Sequence, residues 1–95
     1  MRVHSVQDEL TAASKELMDL IAYAAIHGGV SRQWIESVRL HETIADLHRR
    51  MAIVVDPANV DPVPGALELI ADYRTISASL VAEMAAGKKA RESEA

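Results

Sequence analysis

The sequence predicts an all-α protein: a three-helix antiparallel bundle, formed by a long helical hairpin with a third helix packed along it, and assembled into an oligomer. Three observations carry this expectation. Val3, Val6, Leu10, Ala13, Leu17, Leu20 and Ala24 recur at spacings of three and four, which places seven apolar side chains on one face of one helix. Gly28-Gly29 and the proline-rich run from Asp56 to Gly65 divide the 95-residue chain into three periodic stretches. The apolar material is small, with no Phe, one Trp, two Tyr and sixteen Ala. Small side chains let helices approach closely, but each buries little area at roughly 25 cal/mol per Å². A thin core in a chain this short is helped by a second copy, because assembly removes further apolar surface from water.

The first helix is expected from about Ser5 to His27, roughly 35 Å at about 1.5 Å per residue. Ser5 suits the N-cap, with its side chain accepting from the amide of Asp8, and Asp8 and Glu9 place negative charge in the first turn. Gly28 and Gly29 supply the left-handed residue that ends helices. The second helix is expected from about Ser31, a good N-cap, to Val54. The short turn before it favours antiparallel neighbours. Leu40, Ile44, Leu47, Met51 and Val54 form one apolar stripe. Trp34, Val38, Ala45 and Ala52 form a second, roughly 120° around the helix at 100° per residue. Three prolines between Pro57 and Pro64 exclude a continuous helix and make a stiff connector. The third helix is expected to start near Pro62 or Pro64 and to run to about Ala86, with Pro in its first turn and Gly87 as its stop. Its stripe is Ala66, Leu69, Tyr73, Ile76 and Leu80, joined by Ile70 and Met84. Residues 1–87 then form one helical domain, and 88–95 a charged, frayed tail.

Composition removes several function classes. With ten basic and fourteen acidic residues the chain carries a net charge of −4, which weakens non-specific attraction to phosphate backbones. No cysteine is present, so disulfides, thiolate catalysis and cysteine zinc sites are excluded. No apolar run approaches the ~20 residues of a membrane span, and Asp8 and Glu9 interrupt what a signal peptide would keep apolar. A cytoplasmic protein without membrane partners is expected.

Chemistry-bearing patterns are sparse. His41 and His48 lie seven residues apart on one face with Trp34, but metal ligands on a helix favour i and i+4, and position 45 is Ala. No Glu-x-x-His of the di-iron bundles is present, so no metal is expected within one chain. Half-buried at an interface edge, the two histidines would weaken assembly near pH 6 as they charge. Counted from Asp56, Asn59 and Asp61 fall at positions four and six, and position twelve is Leu67, which is not the ligand spacing of a calcium loop. These residues are expected to form turns and caps. No nucleophile elbow or phosphate-cradling loop is present, so neither a catalytic residue nor a cofactor is expected. Carboxylates are expected on solvent-facing positions as ion-pair partners, such as Asp46 with Arg50.

The expected function is therefore a non-enzymatic protein–protein interaction module, a scaffold, adaptor or inhibitor that pairs with itself and with another protein. Its expected contact residues are Trp34, Val38, His41, Ala45 and His48, the second stripe of the second helix with its two histidines.

An alternative comes from Ile21 to Leu40, which reads IAYAAIHGGVSRQWIESVRL. Ala25 supplies a small residue, Gly29 follows four residues on, and Val30, Ile35 and Val38 provide apolar anchors after the turn. Over these twenty residues the chain resembles the generic helix-turn-helix DNA-binding motif. The resemblance implies a small DNA-binding transcriptional regulator whose recognition helix opens with Ser31, Arg32 and Gln33. Ser37 and Arg39 would also face DNA, since Arg reads guanine and Gln reads adenine in the major groove.

Overall fold

A computed structural model describes residues 3–94, with side chains described for residues 6–90. These residues form four helices packed together: α1 (Val3–His27), α2 (Arg32–Ser37), α3 (Leu40–Val54) and α4 (Pro62–Glu94). The molecule is elongated, 55 × 23 × 19 Å.

Helix α1 is unbroken, as its stripe demands. Val6, Leu10, Ala13 and Leu17 are buried, and Leu20 and Ala24 pack on the edge of the same cluster. The helix starts by Val3, ahead of Ser5, whose capping bond lies outside the described side chains. It ends where expected: Gly28 and Gly29 take φ of +73° and +91°, and the Gly28 amide donates to the Ala24 carbonyl at 2.8 Å.

The expected second helix is two helices. Ser31 caps α2, accepting from the Trp34 amide at 3.1 Å, but α2 stops after six residues. Arg39 then takes a left-handed conformation (φ 51°, ψ 54°) and α3 begins at Leu40. The reason is geometric. In one continuous helix, Trp34 would point roughly 120° or more away from the line Leu40, Leu47, Val54. Both have to reach one core, because Trp34 packs against it while Leu40, Leu47 and Val54 are buried. The bend satisfies both at a cost of about 1–2 kcal/mol for the left-handed residue. Part of that cost is offset at the bend, where the Thr43 amide donates to the Arg39 carbonyl at 2.9 Å and the Thr43 hydroxyl to the Val38 carbonyl at 3.1 Å.

The connector behaves as turn and cap chemistry requires. The Asp56 side chain accepts from the Ala58 amide at 2.9 Å, and the Asn59 side chain accepts from the Asp61 amide at 3.2 Å. The Asn59 side-chain amide donates to the last carbonyls of α3, at 3.4 Å to both Ile53 and Val54.

Helix α4 is the scaffold on which the others pack. Ala66, Leu69, Ile70, Tyr73 and Leu80 are buried, and Ile76 and Met84 are partly so. Gly87 does not stop it. At 33 residues α4 spans about 50 Å, and it carries the expected tail as helix to Glu94. Gly87 is there for contact instead. A Cβ at this position would overlap the Gly29 carbonyl oxygen and stand 3.0 Å from Gly29 Cα, so only glycine lets the α1–α2 turn close onto α4.

Paired residues give the helix directions. Glu9 meets Arg74, and Ser31 meets Glu83, so α1 and α4 run in parallel. Val54 meets Gly65 and Arg50 meets Asp72, so α3 runs antiparallel to α4. The principal partner of α1 is α4, not the next long helix, as a hairpin would have it. Area explains the choice: α3 buries only three side chains, one every seven residues, whereas α4 buries a broad face.

Candidate interaction surface

The five side chains expected to form one contact surface are separated by the bend at Arg39. Trp34 sits on α2, half-buried against the core, and Val38 is half-buried in the turn. His41, Ala45 and His48 are exposed along the outer side of α3. Among the described residues, no group of three or more His, Asp or Glu side chains is placed to hold a metal.

The residues of the helix-turn-helix resemblance are engaged elsewhere or held in a short segment. The Ser31 amide and hydroxyl both donate to Glu83 Oε1, at 3.3 and 3.1 Å, which puts a carboxylate where a phosphate would approach. Arg32 pairs with Glu36 at 3.4 Å. Gln33 is exposed. The Ser37 hydroxyl donates to the Trp34 carbonyl at 2.9 Å. Arg39 occupies the bend and pairs with Glu42 at 3.8 Å. The segment that would read bases is a six-residue helix, about 9 Å long.

A groove between α3 and α4 is lined by Arg39, Glu42, Asp46, Arg50, Asp72 and neighbouring side chains. Its charges satisfy one another. Arg50 contacts Asp72 at 2.7 Å and Asp46 at 3.7 Å, and Arg49 also bonds Asp46. The hydrogen bond to Asp72 raises the Arg50 guanidinium above its ordinary pKa, so it stays charged at any working pH. The pair of Asp46 and Arg50 is the one anticipated from the sequence. This groove is a strut joining α3 to α4.

The opposite flank of α4 is different. Two shallow depressions between α1 and α4 meet at Val81 and form one trough, and a third on the surface of α1 adjoins them through Glu16, Leu20 and Tyr23. Its apolar lining is the half-buried Leu20 and Met84, the exposed Ala78 and Ala85, and Tyr23 and Val81, 56% and 48% exposed. The Tyr23 ring is braced against His27, with centroids 4.2 Å apart. At one end Arg74 is tied to Glu9 at 2.9 Å, and beside them Ser77 is buried with no hydrogen-bond partner for its hydroxyl. Glu16 and Lys88, at the two ends of the apolar stretch, form no ion pair with any described residue. Other exposed apolar side chains, such as Ile26 and Val60, do not line this trough.

The sequence does carry a signal for this trough. Arg74, Ala78, Val81, Ala85 and Lys88 repeat at four, three, four and three. Glu16, Leu20, Tyr23 and His27 do the same on α1. Each is a second stripe beside the buried one, obscured by its charged ends and its small residues. No helix among the described residues is long and apolar enough to cross a membrane. Comparison of the chain with protein families, curated proteins and solved structures gives no match.

Proposed function

We propose that the protein is a non-enzymatic helical interaction module that associates with itself. Its three long helices act as a bundle with α2 as a cap, and it works in the cytoplasm. The observation that carries this reading is the trough between α1 and α4. The two longest helices pack side by side, and the one other long helix covers only one flank of α4. Apolar side chains in contiguous array on the other flank are what a partner covers. The groove between α3 and α4 offers no comparable surface, because its charges are already paired. The DNA-binding alternative finds less support, since Glu83 holds Ser31 and the net charge is −4.

The test is solution mass against concentration, by sedimentation velocity from low micromolar to several hundred micromolar. The expected result is a rise from the 10.3 kDa of one chain to a defined multiple. A strict monomer throughout contradicts the proposal.

A further inference from the structure

We infer that the trough between α1 and α4 is covered by a second copy of this chain in antiparallel orientation, joined about a two-fold axis near Tyr23. The inference rests on the self-association proposed above and names the surface that performs it.

Charge is the argument. The trough has an acidic end and a basic end, with apolar side chains between them. Glu16 lies level with Ser77 and Ala78, and Lys88 lies beside His27 and Met84. Along α4 the two levels are ten residues apart, about 15 Å. A two-fold axis midway between them passes at the level of Tyr23, Val81 and Met84. Tilted so that it lies in the contact plane perpendicular to the line from Glu16 on α1 to Lys88 on α4, this axis brings Glu16 of each copy opposite Lys88 of the other. Neither charge has an ion-pair partner among the described residues, so the dimer gains two pairs without breaking any described one. A two-fold contact has to be self-complementary in this way: the same patch meets itself, and residue i meets j while j meets i. A parallel arrangement, with the axis along the trough, would leave Lys88 beside His27 of the other copy and without a carboxylate. The antiparallel one stacks the α1–α4 layer of one copy on that of the other, with Leu20, Tyr23, Val81 and Met84 between the layers. The charged side chains form the rim and set orientation, and the apolar centre supplies affinity.

The test is a charge swap read by sedimentation velocity at low salt, comparing wild type, Glu16→Lys, Lys88→Glu and the double variant. Both positions are exposed on helices, and circular dichroism confirms that each variant keeps wild-type helicity and melting. Each single reversal places like charges opposite one another twice per dimer, and the expected result is a weakening of self-association by about ten-fold or more. The double variant restores opposite charges at both sites and is expected to return to within about three-fold of wild type. Added salt should shrink these differences. Wild-type self-association that the single reversals leave unchanged overturns this surface and leaves the interaction module standing. Single reversals that weaken assembly without recovery in the double variant overturn the pairing. A wild-type monomer at every concentration overturns the underlying proposal, and this inference with it.

Discussion

Tyr73→Ala is expected to leave little folded protein at 37 °C. Tyr73 is fully buried and is the largest side chain of the core, in a chain with no Phe. It stands about a third of the way along α4, in one cluster with buried side chains of both α1 and α3, so its ring is shared by both contacts that hold the molecule together. Truncating a buried aromatic costs about 3–5 kcal/mol, and a small domain has only about 5–15 kcal/mol in total. A core of Ala and Leu cannot relax into so large a void without moving helices. The hydroxyl contributes little by comparison. It donates to the thioether of Met51 at 3.7 Å, a weak acceptor. Tyr73→Phe is therefore expected to change stability by less than about 1 kcal/mol. Urea unfolding followed by circular dichroism separates the two variants. Equal losses would mean that the hydroxyl, not the ring, carries the effect, and would contradict the packing described.

The second large effect is a reversal of sign at Gly87. Position 87 lies inside α4, where glycine is about 1 kcal/mol worse than alanine. Helix propensity alone therefore predicts that Gly87→Ala stabilises. The close approach of Gly29 predicts the opposite, because a Cβ there meets backbone and not the flexible end of a side chain. The α1–α2 turn has to move away, and with it the bonds between Ser31 and Glu83. Overpacking of this kind costs about 1–3 kcal/mol. Gly87→Ala is expected to lower Tm despite its gain in propensity, and Gly87→Leu to lower it by roughly 5–15 °C in a domain of this size. A Tm that rises in Gly87→Ala would show that the turn and α4 are not in contact.

These two residues also show how far the sequence could be read. Tyr73 was legible, because its stripe follows the 3.6-residue period and nothing local competes with it. The unbroken α1, the glycine stop at its end and the Ser31 cap were legible for the same reason: each is a local signal. Gly87 resembles a helix stop when read locally. Its true role depends on Gly29, 58 positions earlier in the chain, and no local pattern encodes that approach. The bend at Arg39 had no signal of the usual kind, since neither glycine, asparagine nor proline marks it. It follows from a tertiary demand, that Trp34 and the Leu40–Leu47–Val54 line face one core. That bend also means that Trp34, Val38, His41, Ala45 and His48 do not lie on one continuous helix. The trough was written in the sequence as second stripes on α1 and α4. Which stripe each helix buries within the chain was decided by packing, and the remaining one stays at the surface.

The central claim is that copies of this chain meet through the α1–α4 trough and not through the outer side of α3. The absence of native cysteine allows a direct test with one thiol per chain. Ala85 lies in the trough near the proposed axis, and Ala45 lies on the exposed side of α3 between His41 and His48. Each is replaced separately by cysteine and treated with a short thiol-specific cross-linker at a concentration where the wild type self-associates. The account predicts that Ala85→Cys is captured as a covalent dimer and Ala45→Cys remains a single chain. Capture through position 45 with none through position 85 would contradict it.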